Sequence, residues 1–206
     1  CGFANGNGGL EETIKFGIVA SGYHQQIDYN RLNYSGGPWT NAPYQAINYV
    51  SAHDNYTLWD KLRLSCEGRK KEDILAINKL CAAIVFTSQG IPFIQAGEEF
   101  ARSKVNPDGS FNDNSYNAPD SVNKLEWKRK EEYRVLFEYY KGLISLRKSH
   151  KAFRMSSALD VREHLNFLNV NTWNVVAYKI NTEGLEDNWR DIIVLLNGRD
   201  EEIEFS

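Results

Sequence analysis

The chain has 206 residues, of which 42% are hydrophobic and 25% charged, with a net charge of -3. That balance belongs to a soluble globular protein of one large domain or one and a half small ones. The mild negative charge speaks against nucleic acid or an acidic membrane as a partner, and no apolar run is long enough to span a bilayer.

Aromatic residues make up 13% of the chain, with 5 Trp and 11 Tyr. Flat rings with a polar edge suit sugar-binding clefts and serve cores just as well. The cysteines, Cys1, Cys66 and Cys81, have no paired spacing, which argues against a disulfide framework and against a zinc site. Neither an initiator Met nor a charged-then-apolar signal opens the sequence, the pattern of a processed chain or a fragment. A lipidated start on Cys1 would lack a second anchoring signal.

Residues 1–9 are glycine-rich and predict an exposed loop. Leu10 to Ser21 carries Leu10, Ile14, Ile18 and Val19, the spacing of a short amphipathic helix. From Tyr23 to Tyr44 the sequence is polar and aromatic around Gly36-Gly37-Pro38, an ordered loop that Trp39 and Tyr44 are expected to anchor. A loop of that length in a compact domain points to function. Ile47–Ser51 then predicts a buried strand, ending abruptly in His53-Asp54-Asn55 before helix-like sequence begins.

Asp73 through Ser88 predicts a helix, with Ile74, Ile77, Leu80, Cys81, Ile84 and Val85 on one face and acidic residues in the first turn. Gly90 ends it. Ile91–Ala96 reads as a second short buried strand, with Pro92 tolerated near its start. Strand, loop, helix and strand, with no polar alternation in either strand, make the signature of a βαβ unit in a parallel sheet. A long polar loop follows to about Trp127. Glu131 through Lys148 then forms a helix with the stripe Tyr133, Leu136, Phe137, Tyr140, Leu143 and Ile144, and with Arg147 and Lys148 suited to its C-terminal end.

The character changes near residue 152. Short alternating strands are expected at His164–Val170, Val175–Ile180, Asp191–Leu196 and Glu201–Phe205, separated by turn signals such as Asn197-Gly198. A domain boundary therefore falls at about 150. The first domain covers 1–150, and 151–206 begins an antiparallel domain with one wet face.

Reactive groups in parallel α/β folds sit on loops leaving the carboxyl ends of strands. One such loop holds His53, Asp54 and Asn55. The other holds Glu98, Glu99, Arg102 and the cluster Tyr116-Asn117-Ala118-Pro119-Asp120, and both would open on one side of the sheet. Asp54 with Glu98 or Glu99 could supply the two carboxylates of glycoside hydrolysis. Equally, Asp54 could cap the following helix, and Glu98 and Glu99 could be first-turn acids. His24, His150 and His164 are scattered, as surface or packing residues are. No phosphate loop, nucleophile elbow or metal-ligand cluster is present, so no metal or cofactor is expected.

Tyr49-Val50-Ser51-Ala52-His53-Asp54-Asn55, followed by Thr57-Leu58-Trp59-Asp60, resembles the fourth conserved motif of the α-amylase superfamily (glycoside hydrolase family 13), in its type I pullulanase form. Thr87 to Phe100 resembles the last barrel strand of these enzymes, and Asn114 to Asn123 their substrate-side loop. Leu10–Ala20 and Asn33 to Trp39 are similar as well, so the likeness runs over nearly the whole chain.

The resemblance implies that Asp54 is the carboxylate that stabilises the transition state and that His53 binds sugar hydroxyls at the cleavage subsite. Asn55, Tyr116, Asn117 and Asp120 would be neighbouring sugar contacts. Gln95 departs from the histidine or similar residue expected at its position, and an insertion around Asn106–Phe111 lengthens the second loop. The family's nucleophile and general acid lie on barrel strands upstream of anything present, and a full barrel takes about 250 residues. The expected architecture is thus α/β, the last strands and helices of a TIM (β/α)8 barrel followed by a truncated antiparallel β-sandwich domain.

The implied partners are an α-glucan and the missing N-terminal part of the barrel. The implied reaction is retaining cleavage of α-1,6 linkages in pullulan, glycogen or starch dextrins, with the piece inactive alone. Isoamylase-like or α-amylase-like action, or a non-catalytic carbohydrate-binding or structural module, are the alternatives. The compartment stays open between bacterial cytoplasm and a secreted or cell-surface location.

Overall fold

Two long helices packed on one another set the frame. The structure, a computed structural model, describes residues 2–204. Helix α3 (Lys71–Thr87) opens with Glu72 and Asp73 where the macrodipole favours negative charge, and it buries Ile74, Ile77, Cys81 and Val85. Helix α6 (Arg134–Ser149) buries Leu136 and Tyr140 against it. Leu58, Trp59 and Leu62 of α2 (Leu58–Ser65) complete this core, with the Trp59 and Tyr133 rings edge to face at 5.1 Å. Full burial of each such side chain stabilises by about 1.5–3 kcal/mol.

Strand β1 (Ile47–Asn48) and strand β2 (Ile91–Pro92) pair in parallel, with α2 and α3 between them in sequence. The two strands are shorter than the sequence predicts, and they are not buried. Ile47 is 59% exposed, Ile91 46% and Phe93 44%. The reason is that each strand has a single neighbour among the described residues. Pairing stops after Ile91 N–H to Ala46 O and Phe93 N–H to Asn48 O, both 2.9 Å.

Between α3 and β2 the chain turns at Gly90 with φ +97°, and a Cβ there would lie 3.1 Å from the Ala46 carbonyl oxygen, so glycine is required twice over. The carbonyls of this turn are held by Arg147. Its guanidinium donates to the oxygens of Phe86, Ser88 and Gly90 at 2.9, 2.6 and 2.7 Å. Arg147 is therefore buried rather than a surface partner of the α6 dipole.

Helix α1 (Glu11–Ile18) forms as predicted. In the loop after it, Trp39 and Tyr44 are exposed and do not anchor the chain. Buried His24, Ile27 and Thr40 do so instead. The His24 Nε2 lies 3.0 Å from the Leu165 carbonyl, and Thr40 Oγ1 donates to the Ala20 carbonyl at 2.7 Å.

One-turn helices α4 (Asp120–Asn123) and α5 (Arg129–Glu132) precede α6. After it comes α7 (Ala158–His164), which the pattern of residues does not predict. Its N-cap Ser157 hydroxyl accepts from Leu159 and Asp160 N–H. Strands β3 (Leu165–Leu168), β4 (Val175–Asn181) and β5 (Asp191–Asn197) then form an antiparallel sheet with β4 central. A second sheet facing it is absent among the described residues, as is strand structure over 201–204; Phe205, the last position of the expected fourth strand, and Cys1 lie outside them. The inner face of this sheet shares one core with Phe3, Phe16, Ile18 and Val19.

Candidate active site

The parallel pairing of β1 and β2 sends the loops after both strands to the same side. They meet in a cleft of about 220 Å³ whose lining includes His53, Asp54, Gln95, Arg102, Lys104 and Tyr116. His53 Nε2 lies 3.4 Å from Asp54 Oδ2, with the two side chains 85% and 75% exposed. An exposed pair of this kind contributes little to stability, so its placement has to come from the backbone. Asn55 closes the turn in the left-handed region at φ +62°, a conformation that asparagine adopts more readily than other residues with a side chain. Tyr116 faces the cleft with 83% of its surface free. Asn55, Asn117 and Asp120 are exposed and stand outside the lining, Asp120 as the first residue of α4.

The second loop begins at Gly97, where φ is +93° and a Cβ would sit 2.8 Å from the Arg102 Cβ. This tight reversal leads into a 3-10 turn over Glu98–Phe100, then into left-handed Ala101. Glu98 points down, away from solvent, where Ser51 Oγ hydrogen-bonds it and the Tyr140 hydroxyl lies 3.2 Å off. Burial pushes its carboxyl up to about 7. Glu99 instead accepts from Gly97 N–H at 3.0 Å, as a first-turn acid does. Neither faces Asp54 across the cleft. The insertion around Asn106–Phe111 is a tight hairpin closed by Val105 and Phe111 and by Asn106 N–H to the Ser110 carbonyl at 2.8 Å.

Lys104 and Asp60 are the parts that pattern reading misses. Asp60 is fully buried in the first turn of α2, where the sequence reads as T-x-x-D capping. Its carboxylate takes the Ser103 hydroxyl and, at 2.8 Å, the Lys104 N–H. Burial raises its carboxyl above the usual range. Lys104 is 3% exposed as a residue, and its ammonium donates to the His53 carbonyl at 2.9 Å. Burial, and then Arg102, lower its affinity for a proton, while Asp60 and Asp54 act the other way. Arg102 donates to the carbonyls of Ala96 and Asn123. Among the described residues neither cation has a carboxylate in ion-pair contact, so the cleft carries positive charge around one exposed carboxylate.

Among known proteins, the family model described as pullulanase, all-beta domain, matches residues 161–206. A pullulanase of Bacillus subtilis is 36% identical over 99% of the chain, which covers 26% of that protein. A mutant pullulanase of Paenibacillus barengoltzii solved with maltotetraose superposes with a TM-score of 0.83 at 38% identity, over 96% of this chain and 28% of that one. An isoamylase of Flavobacterium is 30% identical over 54% of the chain and covers 17% of its own length. The chain is thus similar in sequence and in fold to a region of the pullulanases, which are glycoside hydrolases, and it spans about a quarter of the length of the first two relatives.

Proposed function

We infer from this kinship with pullulanases that the protein of which the chain forms part is a debranching hydrolase. It cleaves α-1,6-glucosidic linkages in pullulan, glycogen or starch-derived dextrins with retention. The observation that carries the reading is the convergence of the His53-Asp54 turn and the Tyr116 loop on one cleft, at the carboxyl ends of two parallel strands. In this reading residues 1–150 are the last part of a (β/α)8 barrel and 151–206 begin an all-β domain, in keeping with a family match that starts at 161. The maltotetraose bound by the Paenibacillus relative supports an α-glucan as ligand. The isoamylase match reaches only half the chain where the pullulanase match reaches nearly all of it, which favours pullulanase action.

Asp54 is assigned as the carboxylate that steadies positive charge as the sugar ring flattens towards an oxocarbenium ion, and His53 as a donor to the hydroxyls of that sugar. Asn55, Tyr116, Asn117 and Asp120 are assigned as flanking sugar contacts. The nucleophile and the general acid come from barrel strands upstream. In the full-length enzyme, Asp54→Asn is expected to lower kcat by about three orders of magnitude, the scale of losing one preorganised electrostatic group, with an unchanged unfolding midpoint. A rate within a few-fold of wild type would remove Asp54 from the mechanism.

A further inference from the structure

We propose that Lys104 is the positioning residue of this site, fixing the His53-Asp54 turn through the His53 carbonyl. The proposal rests on the assignment of Asp54 made above and adds the group that holds it in place. His53 and Asp54 project almost bare into solvent, and the 3.4 Å contact between them cannot lock either one. Their aim is therefore set by the backbone of residues 52–56. Among the described residues, the hydrogen bond that reaches this stretch of backbone is the one from Lys104 Nζ to the His53 carbonyl, 2.9 Å. On either side the chain is secured separately, by Ser51 on Glu98 and by Thr57 as N-cap of α2.

Lys104 can serve as an anchor because it is itself held from behind. Its N–H and the Ser103 hydroxyl both bind the Asp60 carboxylate, which sits in the rigid first turn of α2. The path from Asp60 through Lys104 to His53 and back along the chain to α2 closes a ring. A charge-assisted bond inside such a ring is short and geometrically specific. Lys104 is also a buried residue with no carboxylate in ion-pair contact among the described residues, at a desolvation cost that a purely architectural contact would avoid by using a neutral donor. The charged groups facing it are Asp54 from the first loop, Asp60 from α2 and Arg102 from its own loop.

The test uses the full-length enzyme with pullulan as substrate. Lys104→Met is expected to lower kcat by about 10- to 100-fold, the scale set by displacing a reacting group by an ångström or so. KM should change by less than about 3-fold, because the flanking sugar contacts stay in place, and Lys104→Arg, which keeps charge and donors, should recover most of kcat. A Lys104→Met enzyme with kcat within 2-fold of wild type would overturn the proposal, as would equal losses in Met and Arg variants that both stay folded. Where Lys104→Met melts below the assay temperature, Lys104→Gln assayed below its own midpoint decides by the same criteria. Asp54→Asn measured alongside separates the two ideas. An inactive Asp54→Asn with a normal Lys104→Met sinks only the positioning role, whereas an active Asp54→Asn sinks the reading of the site beneath it.

Discussion

Beneath the cleft, the hydrogens around Glu98 can be counted. The Tyr140 hydroxyl lies 3.0 Å from Asn78 Oδ1 and 3.2 Å from Glu98 Oε1, and it has one proton to give. That proton is shared between the two acceptors. Ser51 Oγ donates to the other oxygen. Burial outweighs these two donors and pushes the carboxyl up to about 7. Because the folded pKa is raised, the native state holds this proton more tightly than the unfolded chain does. The resulting stability is complete below pH 4.5 and is lost as pH rises through about 7. The span corresponds to something on the order of 3 kcal/mol. Buried His24, whose pKa is lowered chiefly by burial, works in the opposite direction over part of the same window, so the wild type alone does not isolate the effect. Glu98→Gln does. Its amide can donate to Tyr140 and accept from Ser51, and the stability difference between wild type and variant in urea unfolding should move by a few kcal/mol in favour of Gln between pH 5 and pH 8. A difference that stays flat over that range would show that Glu98 is ionised throughout.

At the scale of elements, a buried guanidinium organises the turn between α3 and β2. Arg147 donates to three carbonyls where the helix ends and the strand begins, and burial lowers its pKa to about 10 with no carboxylate in contact among the described residues. Arg147→Met keeps the stem's packing but leaves those acceptors dry, at about 1–3 kcal/mol for each buried unsatisfied group. A loss of at least 3 kcal/mol in chemical unfolding is expected, against under 1 kcal/mol for removing a surface charge near the same helix end. This element was only half legible in sequence. The apolar stripe announces α6 and, in Leu136 and Tyr140, its buried face, since 3.6-residue periodicity is local, although Ile144 is exposed and Tyr133 precedes the helix. The role of Arg147 was hidden, because its partners lie some sixty residues away and a cation at a helix end has an adequate local explanation. The same division holds elsewhere. β3 and β5 follow their alternating pattern, but central β4 buries Val175, Val176, Ala177 and Tyr178 in succession, against the expected wet face, and α7 has a short apolar pattern and only Ser157 to announce it. At the cleft, His53, Asp54 and Tyr116 were legible from motif resemblance. Lys104 and Asp60 were not, because a capping acid and a loop lysine are indistinguishable from ordinary ones until the fold brings them together.

For the molecule as a whole, the features that fit poorly with an isolated protein occur together. Among the described residues β1 and β2 each have an unpaired edge, and Ile47, Tyr49, Ile91 and Phe93 are exposed beside them. A hollow of about 500 Å³ beside β1 has Phe3, Ile14, Ile47, Val50, Leu62 and Ile84 in its lining. Unpaired parallel edges and contiguous apolar surface are covered in stable folds. A region bearing the remaining strands would cover both, and it would also carry the two carboxylates that the proposed chemistry still needs. Two consequences can be measured on one preparation. The chain alone should show no release of reducing ends from pullulan, and it should bind a hydrophobic dye. Adding the preceding region of the same enzyme as a separate polypeptide should quench the dye and restore debranching, because the edges of β1 and β2 supply a register for the incoming strands and Lys104 already holds the His53-Asp54 turn in place. Debranching by the chain alone would mean that its one cleft carboxylate, Asp54, suffices with some group already present, and the division of the active site between two parts of the sequence would have to be given up.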